Sequence, residues 1–264
     1  MTRVERQADV GAALESLGVQ PDARWSRPAQ AYSQHRETTE SDYYYVYNPT
    51  PHPIAFEPSF GATGRPYEMD LWTGAISPLA EYRASGGRVT VPLSLAPGEN
   101  VVLGFRKGER GATPHVVDTN AEKVVELGDG SFEVRDTRAG RRSLRFSDGG
   151  AARVRLPRLP ATVRPSDWDL IVEEEGPEES PPTHDLDLTG LPDWRSIDEL
   201  AYASGVGTYT TTVTLPAGWT APDRGTYLDP GRVAGGSTQV HVNGRLASPS
   251  PVAGERIDVS SLLR

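Results

Sequence analysis

The chain has 264 residues, 36 acidic against 27 basic side chains, and a formal net charge of −9. That is length for about two domains with cores that stand without staples, and an acidic balance that excludes a general nucleic-acid binder, which needs a basic stripe. With no cysteine, disulfides and thiolate chemistry are excluded. No apolar run approaches the ~20 residues of a membrane-spanning helix.

The first element is helical. In ERQADVGAALESL (5–17), Val10, Ala13, Leu14 and Leu17 recur at helical spacing, and Gly18 follows as a C-cap. MTRVERQADVGAAL lacks the apolar core of a secretory signal, so the sequence leaves localisation open. Residues 1–40 are expected to be a helix and lead-in belonging to a preceding domain.

From Asp42 the pattern becomes all-β. DYYYVYN (42–48) is aromatic and β-branched and is closed by Pro-Thr-Pro. PIAFEPSF, PYEMDLWTGAISPLAEYRA and GRVTVPLSLAPGENVVLGF continue it, with short strand-like stretches between Gly and Pro turns. Trp72-Thr73-Gly74 and Pro97-Gly98 are turns, and VVLGF (101–105) closes a sandwich at 41–110. Five further strands, HVVDT, KVVEL, SFEVRD, SLRFS and ARVRL, form a connector at 111–162 with hairpin turns at GDG (128–130) and SDGG (147–150). PRLPATVRP is an extended crossing.

The last domain spans 163–264. DWDLIVEEE opens it, and the acidic, Pro-rich EEEGPEESPP is a solvated loop. YTTTVTL predicts a half-buried strand with Tyr209, Thr211, Val213 and Leu215 on one face. GTYLDPG, STQVHVNGR and RIDVSSLL add strands, with Asn243-Gly244 as a hairpin turn. The fold class expected is all-β: two β-sandwich or jelly-roll domains with one short N-terminal helix.

Candidate chemistry is sparse. The five histidines, His35, His52, His115, His184 and His241, have no i, i+4 partner, so no zinc pattern is present. In THDLDL, His184, Asp185 and Asp187 offer clustered ligands that suit calcium, or else a polar strand edge. There is no G-x-S-x-G elbow and no phosphate-binding glycine loop. Glu173, Glu174 and Glu175 could pair for glycoside hydrolysis, but a charged strand end or loop is the better reading. Glu68 and Asp70, beside Trp72, fit a solvent-facing edge. Aromatics crowd the last domain, and flat aromatic faces suit sugar C–H surfaces. Trp168, Trp219 and Tyr209 are expected in the core. Trp194, in the irregular LPDWRSI, is the surface candidate, and with Asp193 and Tyr202 it makes up the expected carbohydrate-binding set.

A family resemblance enters on longer stretches. GVGTYTTTVTLPAGW, TYLDPGRVAGGSTQVHVNG and RIDVSSLLR resemble the galactose-binding-like jelly roll that serves as sugar-binding domain in the β-galactosidase and β-glucuronidase families. DYYYVYNPTPHPIAFEPSF, GRPYEMDLWTGAISPLAEY and VPLSLAPGENVVLGF are similar to the β-sandwich that follows the catalytic barrel in large bacterial glycosidases of the alpha-L-rhamnosidase family 106 type. LDPG stands where that pattern has Leu-Asp-Leu-Gly, and SPSPVAG lacks the aromatics often found in its loop. The resemblance implies a truncated C-terminal region of a hydrolase, without its catalytic barrel and without a closing strand after Leu-Leu-Arg. It therefore implies no catalytic residue here, a non-catalytic accessory role, carbohydrate as partner, and an open sheet edge through which a homodimer could pair. A free-standing hydrolase (glycosidase or esterase) with its site between the β-domains and a structural or assembly module are the alternatives.

Overall fold

The computed structural model describes residues 4–25, 30–109, 114–177, 179–216, 218–219, 224–231, 236–248 and 256–264. All strand pairs in it are antiparallel. The chain divides into two compact units. One comprises residues 1–159, 233–240 and 248–253, and the other 160–232, 241–247 and 254–264.

The first unit opens with a single 3-10 turn, Gln7–Asp9, and the short helix α1 (Val10–Ser16). Gly18 at φ +79° terminates it, and the Val19 N–H reaches back to the Leu14 carbonyl, a glycine C-cap. Next come β1 (Ala23–Trp25), β2 (Tyr32–Glu37), β3 (Ser41–Tyr47), β4 (Ile54–Phe56), β5 (Pro58–Phe60), β6 (Pro66–Met69) and β7 (Ile76–Pro78). β8 (Arg83–Ser85), β9 (Arg88–Thr90), β10 (Leu93–Leu95) and β11 (Asn100–Arg106) complete the sandwich. Its sheets run β1-β5-β9-β8 and β2-β3-β11-β6-β7, with β10-β4 as a separate pair. Alternation explains the core. Asp42, Tyr44 and Val46 of β3 point inward opposite Phe105, Leu103 and Val101 of β11. The Tyr44 ring meets Phe60 at 4.6 Å, and Phe60 meets Phe105 at 5.6 Å between centroids, which joins the two sheets.

β1 and β2 lie in the stretch expected to be a lead-in. β1 pairs along β5, and β2 pairs along β3 from Tyr32↔Tyr47 to Glu37↔Asp42. YSQHRE carries no apolar alternation, so only its neighbour makes it a strand.

β12 (Val116–Thr119), β13 (Lys123–Glu126), β14 (Phe132–Arg135), β15 (Gly140–Phe146) and β16 (Ala151–Leu156) follow. They carry a small core of Val116, Val124 and Leu144 packed with Ala80. Bridges Leu79↔Val125 and Glu81↔Val116 attach this core to the sandwich. The covered Asp136 carboxylate accepts from the Arg142 guanidinium at 2.6 Å and from the Glu122 and Arg138 amides. The Arg142 bond leads the causes that hold this carboxyl well below the usual carboxylate range.

In the second unit, β17 (Asp167–Glu174), β18 (Thr183–Thr189) and β19 (Gly205–Thr210) form a sheet in the order β18-β17-β19. β20 (Tyr227–Leu228) pairs with β23 (Ile257–Asp258), and β21 (His241–Val242) pairs with β22 (Arg245–Leu246) across Asn243-Gly244. Both hairpin residues have positive φ, +50° and +75°, as the turn requires. Asp258 is followed by a 3-10 turn, Ser260–Leu262. The strand expected over Tyr209–Leu215 ends instead at Thr210. Residues 211–216 keep the alternating pattern but find no ladder partner among the described residues, and Val213 is exposed. The SPSPVAG loop falls almost entirely outside the described residues.

Candidate functional site

The three expected sugar-contact residues follow β18. Asp193 precedes a 3-10 turn at Trp194–Ser196, and its Oδ1 accepts the Arg195 amide. Its carboxylate is also forked by the Arg195 guanidinium, with 2.6 Å between Nη2 and Oδ2, and this bond leads the causes that draw its pKa down to about 2. Trp194 is half-buried. Its ring lies over Gly207 of β19 and packs on the sheet core, and Nε1 donates to Tyr209 Oη at 2.5 Å. A Cβ at Gly207 would overlap that ring, so glycine is what lets the indole lie flat on the strand. Tyr202 follows a second 3-10 turn (Asp198–Leu200) and is 101% exposed, so its ring touches neither of the other two. Asp193 and Trp194 are thus chain neighbours whose polar atoms are engaged within the protein. Tyr202 alone offers a fully open aromatic face.

The same unit holds a cleft of about 440 Å³ lined by Arg164, Asp167, Asp169, Thr210, Thr212 and Thr214, among others. It lies where the β17–β19 ladder ends. Beyond Asp169↔Thr210 the two chains are no longer registered, and the Thr211 hydroxyl donates to the Asp167 carbonyl at 2.7 Å. The sequence pattern hid this cleft, because TTTVT has the same alternation whether or not a neighbour pairs with it. Hydroxyls, two carboxylates and a guanidinium suit a small polar ligand such as a sugar hydroxyl array.

Strand alternation separates the side chains of THDLDL. His184 points to the covered face, where Nε2 lies 2.6 Å from Glu174 Oε1, while Asp185 and Asp187 point outward. The three side chains cannot converge on one ion. Among the described residues no group of three or more His, Asp and Glu side chains is placed to hold one. Glu173 faces solvent on β17, as the strand-end reading expects.

Two titratable groups in the first unit carried no sequence signal. His35 stacks on Tyr44 at 4.3 Å and 3° between planes. Its Nδ1 lies 3.1 Å from Asp22 Oδ2, and its Nε2 lies 3.0 Å from Asp42 Oδ1. A neutral imidazole has one N–H, so a carboxylate on each nitrogen calls for the doubly protonated ring. Burial works against that charge, but the bonds and charges of Asp22 and Asp42 outweigh it and raise the pKa. Burial, reinforced by the Asp22 and Asp42 charges, pushes the stacked Tyr44 up to about 12. Lys107 closes the cluster, 2.5 Å from Glu37 Oε1 and 3.9 Å from Asp42. Glu81, at the bridge to Val116, is pushed up to about 7 by burial; Arg83 opposes the shift, and Asp118 and Glu57 add to it. Both of those acids are engaged by arginine, Glu57 by Arg83 at 2.8 Å and Asp118 by Arg145 at 3.1 Å.

Comparison with solved structures decides the relationship. The chain is similar to a rhamnosidase from Novosphingobium sp. PP1Y, at 25% identity and a TM-score of 0.60, over 97% of its own length. It is a β-rich region related in structure to part of a glycoside hydrolase. The match spans 21% of that rhamnosidase. No family model and no curated protein matches the chain.

Proposed function

We propose that this chain is a non-catalytic accessory region of a glycoside hydrolase, bracing a catalytic domain or holding carbohydrate weakly. The observation that carries the reading is the likeness of nearly the whole chain to one fifth of a rhamnosidase. The expected contacts are the open ring of Tyr202, the Asp193–Arg195 fork beside Trp194, and the hydroxyl-lined cleft at Asp167–Thr214. A second copy pairing along an open edge of the β18-β17-β19 sheet belongs to the same reading, and sedimentation as a monomer at high concentration would remove it.

One observation favours the rival, a hydrolase in its own right. Burial pushes the Glu81 carboxyl up to about 7, the range in which a carboxyl serves as general acid. Glycoside hydrolysis also needs a second carboxylate free to act at a set distance, and the acids that influence Glu81 are held by arginines.

The test is a turnover screen of the purified chain on aryl-glycosides, including the alpha-L-rhamnoside, and on short aryl esters. No turnover is expected. Turnover that survives a second purification and disappears in Glu81→Gln would replace the accessory reading with the hydrolase.

A further inference from the structure

The outward face of the sheet β2-β3-β11-β6-β7 carries tyrosines where a solvated sheet face ordinarily carries small polar and charged residues. Alternation sends Tyr43, Tyr45 and Tyr47 of β3 outward, since Asp42, Tyr44 and Val46 are buried. Register adds neighbours on both sides. On β2, Tyr32 stands opposite Tyr47, Gln34 opposite Tyr45 and Arg36 opposite Tyr43. On β11, Asn100, Val102 and Gly104 take the same three positions, and Tyr67 of β6 lies opposite Gly104. Five tyrosines from three strands therefore share one face, and Tyr32 and Tyr45 are exposed at 68% and 36%.

Gly104 shapes the surface. A Cβ there would sit 3.5 Å from Met69 Sδ and 3.6 Å from the Tyr43 ring, so those side chains lie across the glycine and level the centre. The Tyr45 and Tyr47 rings are 6.4 Å apart and within 21° of parallel. Tyr67 is anchored because its hydroxyl donates to Glu109 Oε1 at 2.6 Å and the Arg65 guanidinium lies 5.6 Å from its ring centroid. Exposed aromatic area gathered in this way marks a contact surface.

The chemistry of the face selects the ligand. Phenol rings offer flat apolar surface with a hydroxyl at the tip. Gln34 and Asn100 add amides that both donate and accept. The β3 row and its partners on β2 and β11 carry a single charge, Arg36, in a chain of net charge −9. A neutral, polyhydroxylated ligand with apolar C–H faces fits this combination, and a polyanion does not. We propose that this face binds a neutral glycan chain, its sugar rings seated on Tyr45 and Tyr47 and its hydroxyls met by Gln34 and Asn100. The proposal rests on the accessory reading and gives it a surface distinct from the Tyr202 region.

The experiment is affinity electrophoresis of the whole chain in gels containing neutral polysaccharides (a rhamnan, a galactan, an arabinan), with polygalacturonate as the anionic control. Binding strength is then measured by calorimetry on whichever polysaccharide retards the chain. The double variant Tyr45→Ala/Tyr47→Ala is expected to weaken binding by about tenfold or more. Tyr45→Phe/Tyr47→Phe keeps the rings and is expected to retain most of it. Equal melting curves for the variants show that the sheet is intact. Retardation unchanged in the alanine variant would overturn the proposal while leaving the accessory reading in place. No retardation by any neutral polysaccharide would also overturn it, whereas the accessory reading falls only to turnover by this chain. A self-association abolished by the alanine variant, without glycan binding, would make the face a protein-docking surface and overturn the proposal too.

Discussion

The two units bury their sheets in different ways. In the first, sheet faces sheet, and eleven buried residues form one cluster, with Tyr44, Phe60 and Phe105 in mutual contact across it. In the second, among the described residues, Leu170 and Val172 of β17 are buried against Leu200 of an irregular segment, with Trp194 and Ile197 of that segment and Tyr209 of β19 packed around them. That segment, with two 3-10 turns, covers the β18-β17-β19 sheet, where a second sheet covers its counterpart in the first unit. A jelly-roll pattern in sequence therefore leaves the thickness of the core open. Eleven buried side chains share the load in one unit; in the other three do, with six half-buried hydrophobics, Trp194 among them, packed against them.

The largest expected effect tests the thick core. Phe105→Ala should cost about 3–5 kcal/mol, a large fraction of the ~5–15 kcal/mol that holds a domain folded, read as a lowered urea midpoint. Leu170→Ala should cost about 2–5 kcal/mol, and in a core of three residues that loss should free the β17 and β19 amides to hydrogen exchange. Equal protection of those amides in the variant and the parent would mean that the second core is thicker than its buried residues suggest.

Gly207→Ala sharpens the comparison further. The new methyl displaces the Trp194 ring, at an overpacking cost of about 1–3 kcal/mol. Tryptophan fluorescence should shift to the red as the indole meets water. An unchanged spectrum would show that Trp194 is not the lid.

The pH dependence belongs to the first unit. Glu81 has a folded pKa of about 7 against an ordinary 4.5. The folded state therefore holds its proton more tightly, and stability falls as pH rises from 4.5 to 7. His35 has a folded pKa above its ordinary 6.5. Its contribution is complete below 6.5 and is lost as pH rises through the raised value. Both push the same way, so the melting temperature of the first unit should decline steadily from mildly acidic to mildly alkaline pH. Glu81→Gln should flatten the lower part of that decline and His35→Gln the upper part. A flat profile in the parent would break the assignment of both groups.

Much of the β architecture is legible in the sequence. From Ser41 to Leu156 the expected strands, the turns at Trp72-Thr73-Gly74 and Asp148-Gly149, and the hairpin at Asn243-Gly244 stand where the pattern puts them. The candidate site is less legible. Asp193, Trp194 and Tyr202 are adjacent or near in sequence, but their surroundings depend on β19, and the glycine under the indole is thirteen residues away. His35 offers nothing in sequence because its two carboxylates are thirteen and seven residues distant.

Side-chain alternation along strands, positive-φ turns at Gly and Asn, and the helix stop at Gly18 are local features, each set by sterics within a few residues. Strand pairing is not local. YSQHRE became a strand because β3 lay beside it, and TTVTL did not because the ladder had ended. One rule of alternation put Tyr44 in the core and Tyr43, Tyr45 and Tyr47 on the surface, but which face became core depended on the sheet packed against it. Backbone hydrogen bonds and burial are satisfied by distant partners, and no window of sequence contains them both.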